Sequence, residues 1–310
     1  MKHYDLSDVS AQLPQGSVLI IGNFDAVHLG HLYLIEQARA NADLKKTDLS
    51  VLTFAPHPRR LFRPEDKPFR ITPDTQKIKA LEATGKINHL FTLPFDWEIA
   101  NLSADDFVEQ IIKRINPTVI YIGEDFRFGH NRTGCAQTLK DAGFETKSVT
   151  LKTDPQHGVI SATRIRGLIQ SGHMDEVKSL LGREWIIEGK VTKGDQRGRE
   201  LGYPTANVPL EETIHPAYGV YATYVRIEGE TEWRMAATNI GIRPMFEVET
   251  ALIEAHILDF SGDLYGKALE IKPVAKIRNE EKFTSLEALI NQIEKDCAKC
   301  RDILELKPAA

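Results

Sequence analysis

The sequence is poor in cysteine, in excess positive charge and in long apolar runs, and each shortage excludes a class of protein. Three cysteines, Cys135, Cys297 and Cys300, are an odd number and argue against a disulfide framework. Lys and Arg total 39 against 44 Asp and Glu, a net charge of -5. A nucleic-acid-binding domain would show a clear basic excess. No apolar run approaches the roughly 20 residues of a membrane-spanning helix. No apolar core follows Lys2, so the opening residues do not read as a signal peptide. No repeat or low-complexity tract is present. These absences predict a soluble, cytoplasmic protein with neither nucleic-acid nor membrane partners.

The 310 residues, 42% of them hydrophobic, suit two domains, each able to bury a core. In the first half SVLIIG, SVLTF, HLFTLPF, TVIYIGE and ETKSVTL read as strands. Helical patterns such as DTQKIKALEATG and SADDFVEQIIKRI fall between most of them. That alternation predicts an α/β fold with a doubly wound parallel sheet. SATRIRGLIQSG and HMDEVKSLLG then read as two short helices. From about Glu184 the rhythm changes: WIIEGKVT, GVYATYVRI, EWRMAATNIG, TALIEAHIL and ALEIKPVAKI read as strands without crossover helices. An antiparallel six-stranded β-barrel follows, closed by a C-terminal helix over about Ser285–Glu305. The expected domains are 1–182 and 183–310.

Cys297 and Cys300 form a C-x-x-C pair within the amphipathic pattern LEALINQIEKDCAKCRDIL. Redox pairs of this spacing open a helix after a strand, and zinc sites need a second ligand pair. Structural cysteines are expected here, with no zinc and no disulfide.

Residues 17–31, SVLIIGNFDAVHLGH, carry the strongest signal. An apolar strand is interrupted by Gly22 and Asn23. A helical pattern with Leu32, Leu34, Ile35 and Ala38 follows. His28 and His31 therefore fall at a strand–turn–helix junction, the carboxyl end of a parallel strand, where ligands bind. Helix N-terminal amides attract phosphate there, and two imidazoles can donate to a polyphosphate whose charge changes during reaction. The plainer alternatives are helix capping or a metal site. No further ligand pair at metal spacing follows.

Three other segments read alike. TFAPHP, residues 53–58, ends a strand at two prolines that predict an extended loop, with His57 a candidate ligand contact. GEDFRFG, residues 123–129, sets an Arg between two aromatics, which suits a flat, partly anionic ligand; the alternative is that Phe126 and Phe128 are core residues. Ser161-Ala162-Thr163-Arg164-Ile165-Arg166 opens a helix with hydroxyls and positive charge, which is favourable if an anion sits there.

Taken in order, FDAVHLGH, TFAPHP, GEDFRFG and SATRIR resemble the nucleotidylyltransferase module of prokaryotic bifunctional riboflavin kinase/FAD synthetases. The resemblance implies adenylyl transfer from ATP to FMN, giving FAD and pyrophosphate. It implies that His28 and His31 are catalytic. It places Gly22, Phe24, Asp25, Ser161, Thr163 and Arg164 around the nucleotide and its phosphates, and Asp125, Phe126 and Phe128 near the flavin.

In the second half, Gly194 to Arg199 is a glycine-flanked polar loop whose amides can cradle phosphate. Thr205 and Asn207 in GYPTAN offer hard ligands on one face of an extended strand. On residues alone, a turn before a strand is the better reading of PTAN. Glu254 alternates with Ile253 and Ala255. Facing a pocket, it could act as a general base; otherwise it is a rim charge. The order GDQRGRELGYPTANV, PAYGVYATYV, NIGIRPMF, IEAHILDFSGDLYG and KIRNEEKFTSLEALINQIEKD resembles the riboflavin kinase module of the same family. This implies phosphorylation of riboflavin to FMN by ATP. Glu254 would be the base, Thr205 and Asn207 would hold Mg²⁺, Gly194 and Gly198 would wrap the nucleotide, and Arg243 would contact flavin.

Three positions depart from the pattern: Ala26 where Gly is expected, Ala162 for a second Ser, and Met245 for Thr. If position 26 needs a positive φ, Ala costs on the order of 1 kcal/mol. Met245 favours a second reading, an FAD synthetase with a weakened kinase. A third, a non-catalytic flavin or nucleotide sensor, would have no need of His28 or Glu254.

Overall fold

In the computed structural model the described residues are 1–150, 152–154, 158–194, 198, 201–245 and 248–308, with side chains left undescribed over 243–250. The chain folds into two units: Met1–Lys67 with Thr72–Ala162, and Pro68–Ile71 with Thr163–Ala310.

The first unit runs β1 (Lys2–Asp5), β2 (Val18–Ile21), α1 (Leu29–Lys45), β3 (Leu49–Ala55), α2 (Pro58–Phe62), α3 (Asp74–Glu82), β4 (His89–Pro94) and α4 (Trp97–Asn101). It continues through α5 (Ala104–Phe107), α6 (Lys113–Ile115), β5 (Val119–Gly123), α7 (Ala136–Asp141) and β6 (Glu145–Val149) to the two-residue strands β7 (Thr153–Asp154) and β8 (Gly158–Val159). The main sheet has the order β1-β4-β3-β2-β5-β6 and every pair is parallel. Strands of such a sheet are covered on both faces and therefore read as unbroken apolar runs. In β2, Leu19 and Ile21 enter one core with Phe107, Ile112 and Ile120, while Val18 and Ile20 enter the other with Ile35 and Ala38. Burying each such side chain contributes about 1.5–3 kcal/mol.

Chain order builds outward from β2 to β3 and β4, then reverses to β5 and β6. The crevice between β2 and β5 is thus the topological switch point, where ligands enter open α/β sheets. Three local features depart from the sequence expectations. Edge strand β1 pairs with β4, although its short polar segment carries no strand pattern. The 104–115 pattern passes through a π-helical turn at Val108–Ile112. TFAPHP does not continue as an extended loop: Pro58 stands at the start of α2, where its missing N–H is no loss, and His57 caps that helix by accepting from Arg59 N at 3.1 Å.

The second unit holds α8 (Ala162–Ser171, its first residue aside), α9 (Met174–Leu181), β9 (Ile187–Lys190), β10 (Ala206–Pro209), β11 (Gly219–Ile227), β12 (Trp233–Met245), β13 (Val248–Ile257), β14 (Ala268–Arg278) and α10 (Leu286–Leu306). Its sheet order is β10-β13-β12-β11-β14-β9, antiparallel throughout. A bridge between Thr192, just past β9, and Asn207 on β10 nearly closes it into a barrel. Inside lie Val208, Tyr221, Ile240, Ile253 and Ala255, with Thr223 and Thr238 satisfying each other's hydroxyls at 2.6 Å. Pro68–Ile71 is part of this unit's packing: Trp185 donates to the Ile71 carbonyl at 3.0 Å, and Arg70 bridges Thr213.

Ser285 caps α10 by accepting from Ala288 N at 3.1 Å. The helix covers the outer face of β11 and β12, placing Cys300 and Leu304 against Ala222, Tyr224 and Ala237. The three cysteines are free thiols. Burial pushes Cys297 up to about 11 and Cys300 to about 12, so both are unreactive near neutrality. Amides of Thr138 and then Gln137 hold the Cys135 thiol below the usual range.

Candidate functional site

In the first unit the polypeptide leaves β2 through Gly22 and turns sharply before α1. Phe24, Ala26 and Val27 all have positive φ, at 53°, 73° and 44°. The Ala26 value meets the expectation raised by its departure from Gly. Strain of this kind persists only where surrounding bonds hold it. Ala26 N donates to Thr72 Oγ1 at 2.9 Å, and Thr72 N donates to Asp25 Oδ1 at 3.0 Å. Asp25 and Phe24 are both buried. The Phe24 ring lies against Gly22 and stacks obliquely on His31, with centroids 4.9 Å apart. Thr72 is a residue that the sequence reading missed; it lies 46 positions from Ala26 and no local pattern marks it.

His28 is the N-cap of α1. Its Nδ1 accepts from Gly30 N at 3.1 Å and from His31 N at 3.3 Å. An accepting Nδ1 leaves the ring proton on Nε2. The capping alternative therefore holds for one ring nitrogen, and the other carries the proton. His31 stacks on His28 with centroids 3.7 Å apart and 18° between planes. The α1 amides, the His28 Nε2–H and the His31 ring belong to one helix start at the carboxyl edge of β2.

Gly30 sits beneath this pair. A Cβ there would come within 3.0 Å of the His28 ring and 3.1 Å of the Ile160 carbonyl. Gly30→Ala is therefore expected to displace His28 and to lower adenylyl transfer on the order of 10²-fold, as ~1 Å misplacements do. The check is FAD formation from supplied FMN, with FMN formation from riboflavin as an internal control expected to stay unchanged.

Ser161, half-buried, directly follows Ile160. Across the switch point, β5 ends at Gly123, and a turn closes with Phe126 N donating to Gly123 O at 3.0 Å. Asp125 is exposed on that turn and Phe126 is half-buried. Phe128 is buried between Phe107, 5.1 Å away by centroids, and Gly134, where a Cβ would lie 2.7–2.8 Å from the ring. It is a core residue that backs Phe126, 6.1 Å away by centroids. Past β3 and β4, exposed Phe62 and Trp97 meet edge to face at 5.7 Å and add an aromatic edge at the same end of the sheet.

Thr163, exposed, and Arg164, half-buried, stand on the first turn of α8, whose buried stripe is Ile165 and Ile169. Arg166 is engaged structurally: its Nε donates to the Phe69 carbonyl at 2.9 Å and its guanidinium lies 5.5 Å from the Phe69 ring centre.

In the second unit, β10, β13 and β12 align one residue each. Asn207 is directly opposite Glu254, and Glu254 is directly opposite Asn239. Directly opposed residues share a face, with Cβ atoms about 4.5–5.5 Å apart. The carboxylate therefore stands between two carboxamides on the outer face of the barrel, half-buried, while Ile253 and Ala255 point inward. Within PTAN, Pro204 and Thr205 precede β10, which begins at Ala206. Asn207 is buried, and its Oδ1 has no hydrogen-bond partner among the described residues. A buried lone pair of this kind costs energy unless a cation or donor meets it. A Cβ on Gly194 would lie 2.6–2.7 Å from the Asn207 amide, and one on Gly198 would lie 2.4 Å from the Tyr203 carbonyl. Both glycines thus approach the PTAN segment more closely than a residue with a Cβ could. Thr205 is exposed two residues before Asn207. This hydroxyl, amide oxygen and glycine cradle fit a hard cation such as Mg²⁺. The remaining residues of the Gly194–Arg199 loop and the Arg243 side chain lie outside the described residues, as does the side chain of Met245. Asn239 and His256 also lie on this outer face, and sequence alternation alone singled out neither for a role.

A histidine pair at a helix start beside the switch point of one unit, and a carboxylate between two carboxamides on a barrel, suit a class, the two-domain phosphorus-group transferases. Family comparison makes this specific. Residues 10–164 match the FAD synthetase model and residues 181–304 match the riboflavin kinase model. The bifunctional riboflavin kinase/FMN adenylyltransferase of Escherichia coli K12 is 37% identical over 96% of this chain and 97% of its own. That of Bacillus subtilis is 37% identical over 90% of each. A solved Streptococcus pneumoniae structure, described as a macrolide-efflux protein, superposes with a TM-score of 0.86 at 31% identity, covering 97% of this chain and 99% of that one. Among the described residues no helix is long and apolar enough to cross a membrane. The chain belongs to the bifunctional riboflavin kinase/FMN adenylyltransferase family and carries both of its domains.

Proposed function

We propose that the barrel unit phosphorylates riboflavin to FMN with ATP and that the α/β unit adenylylates FMN to FAD, releasing pyrophosphate. The supporting observation is that the histidine pair lies at the switch point of the α/β unit and Glu254 lies between two carboxamides on the barrel's outer face. We assign residues 1–182 to the adenylyl half and 183–310 to the kinase half; the family matches leave most of α8 and α9 between them.

In the adenylyl half, an FMN phosphate oxygen attacks the α-phosphorus of ATP and the bond to pyrophosphate breaks. Positioning and charge stabilisation suffice for such a step. The His28 Nε2–H and the His31 ring donate to phosphate oxygens where charge develops. Gly22, Phe24 and Asp25 shape that loop, the last through Thr72. Ser161, Thr163 and Arg164 take further phosphate oxygens. Asp125 and Phe126, backed by Phe128, lie by the flavin, with Phe62 and Trp97 offering aromatic faces for a planar ring system.

In the kinase half, Glu254 takes the proton of the ribityl 5′-hydroxyl as its oxygen attacks the γ-phosphorus and ADP departs. We assign Gly194 and Gly198 to the nucleotide and Arg243 to the flavin. Thr205 and Asn207 would hold Mg²⁺, which supplies charge neutralisation on the ATP phosphates when bound. Free thiols and ATP dependence suit the cytoplasm.

The test is incubation with riboflavin, ATP and Mg²⁺ and chromatography of the flavins. FAD is the expected product. FAD from FMN but nothing from riboflavin would leave only the synthetase, and no conversion of either would overturn both assignments.

A further inference from the structure

The PTAN segment is tied down at its entrance by groups that the chemistry above does not use. His256 lies two residues beyond Glu254 on β13, on the same outer face. Its Nδ1 lies 2.9 Å from the carbonyl oxygen of Pro204, the residue before Thr205. A carbonyl only accepts, so Nδ1 carries the proton in this contact. The ring also meets Tyr203 edge to face, with centroids 5.4 Å apart and 70° between planes.

Tyr203 is held from two more sides. Its N–H donates to the Gly198 carbonyl at 2.7 Å, and its hydroxyl donates to Glu294 Oε1 on α10 at 3.3 Å. Glu294, Cys297 and Arg301 are spaced i, i+3 and i+7 and share a face of α10. Arg301 on that face holds Asp259 at 2.8 Å, just past the end of β13. The helix thus grips both the PTAN entrance and the exit of the strand that carries Glu254 and His256.

We infer that His256 is a positioning residue of the kinase half: its Nδ1–H holds the Pro204 carbonyl and so fixes the segment presenting Thr205 and Asn207. This rests on the kinase reading of that site. His256 touches no reacting atom in this scheme. Losing its bond loosens the cation and nucleotide cradle and leaves Glu254 in place, so binding suffers more than turnover.

The test uses the full chain with two substitutions. His256→Phe keeps a ring against Tyr203 but removes the donor. His256→Asn places an amide N–H near the Nδ1 position. His256→Phe is expected to raise the KM for Mg·ATP and the Mg²⁺ activation midpoint about 10- to 100-fold, as loss of an outer-shell partner does, with a smaller fall in kcat. His256→Asn is expected to restore most of that loss. His256→Phe behaving like the wild type, or His256→Asn failing as fully as His256→Phe, would overturn the inference. A wild type that makes no FMN would overturn the kinase reading and this role with it. One measurement needs no variant: the ¹⁵N-histidine spectrum of the wild type is expected to show His256 protonated at Nδ1, and a bare Nδ1 would refute the contact.

Discussion

Glu254→Gln is expected to lower FMN formation about 10²- to 10⁴-fold, the range for loss of a general base. Adenylylation of supplied FMN is expected to stay at the wild-type level. Gln matches Glu in size and keeps its place between Asn207 and Asn239 in the strand register. The row across β10, β13 and β12 is therefore preserved, and what is lost is the ability to take a proton. The measurement is parallel chromatography of reactions begun from riboflavin and from FMN. Undiminished FMN formation would refute the base assignment, and loss of both activities would count against independent sites.

The second large effect is expected at His28. His28→Ala removes both the helix cap and the Nε2 donor. Loss of a cap alone costs about 1 kcal/mol of stability. His28→Asn separates the two, because Asn is a good N-cap whose side-chain oxygen can accept from Gly30 N and His31 N but has nothing to replace Nε2. Both variants are expected to lose adenylyl transfer by about 10²- to 10³-fold, the range for a removed transition-state donor. FMN then accumulates from riboflavin. Only the Ala variant is expected to melt appreciably earlier. An Asn variant with wild-type FAD output would show that His28 matters as a cap alone.

Local patterns made much of the architecture legible. Unbroken apolar runs such as Val18–Ile21 mark strands buried on both faces, and the alternation at Ile253, Glu254 and Ala255 marks a strand with one wet face. Helix α10 runs Leu286–Leu306 with Ser285 as its cap, close to the expected Ser285–Glu305. The edge strand β1 escaped because four residues of mostly exposed polar chain have no period to read. TFAPHP misled because proline is equally at home in an extended loop and in the first turn of a helix. Phe128 was ambiguous for a similar reason. An aromatic ring suits a core and a ligand equally, and only its neighbours Phe107 and Gly134 decide.

By itself the sequence determined the two-domain order, the strand and helix series, the histidine pair at a helix start, and the resemblance that names the chemistry. All of these depend on residues close together along the chain, where backbone preference and side-chain period act. The tertiary structure decided what touches what. It set β2 beside β5 to make the switch point, brought Thr72 to Asp25 and Ala26, and aligned Asn207, Glu254 and Asn239 in one row. It also set His256 against Pro204, 52 positions away. Contacts at such separations are fixed by strand register and packing, which no local pattern encodes, because each depends on the whole core closing around it.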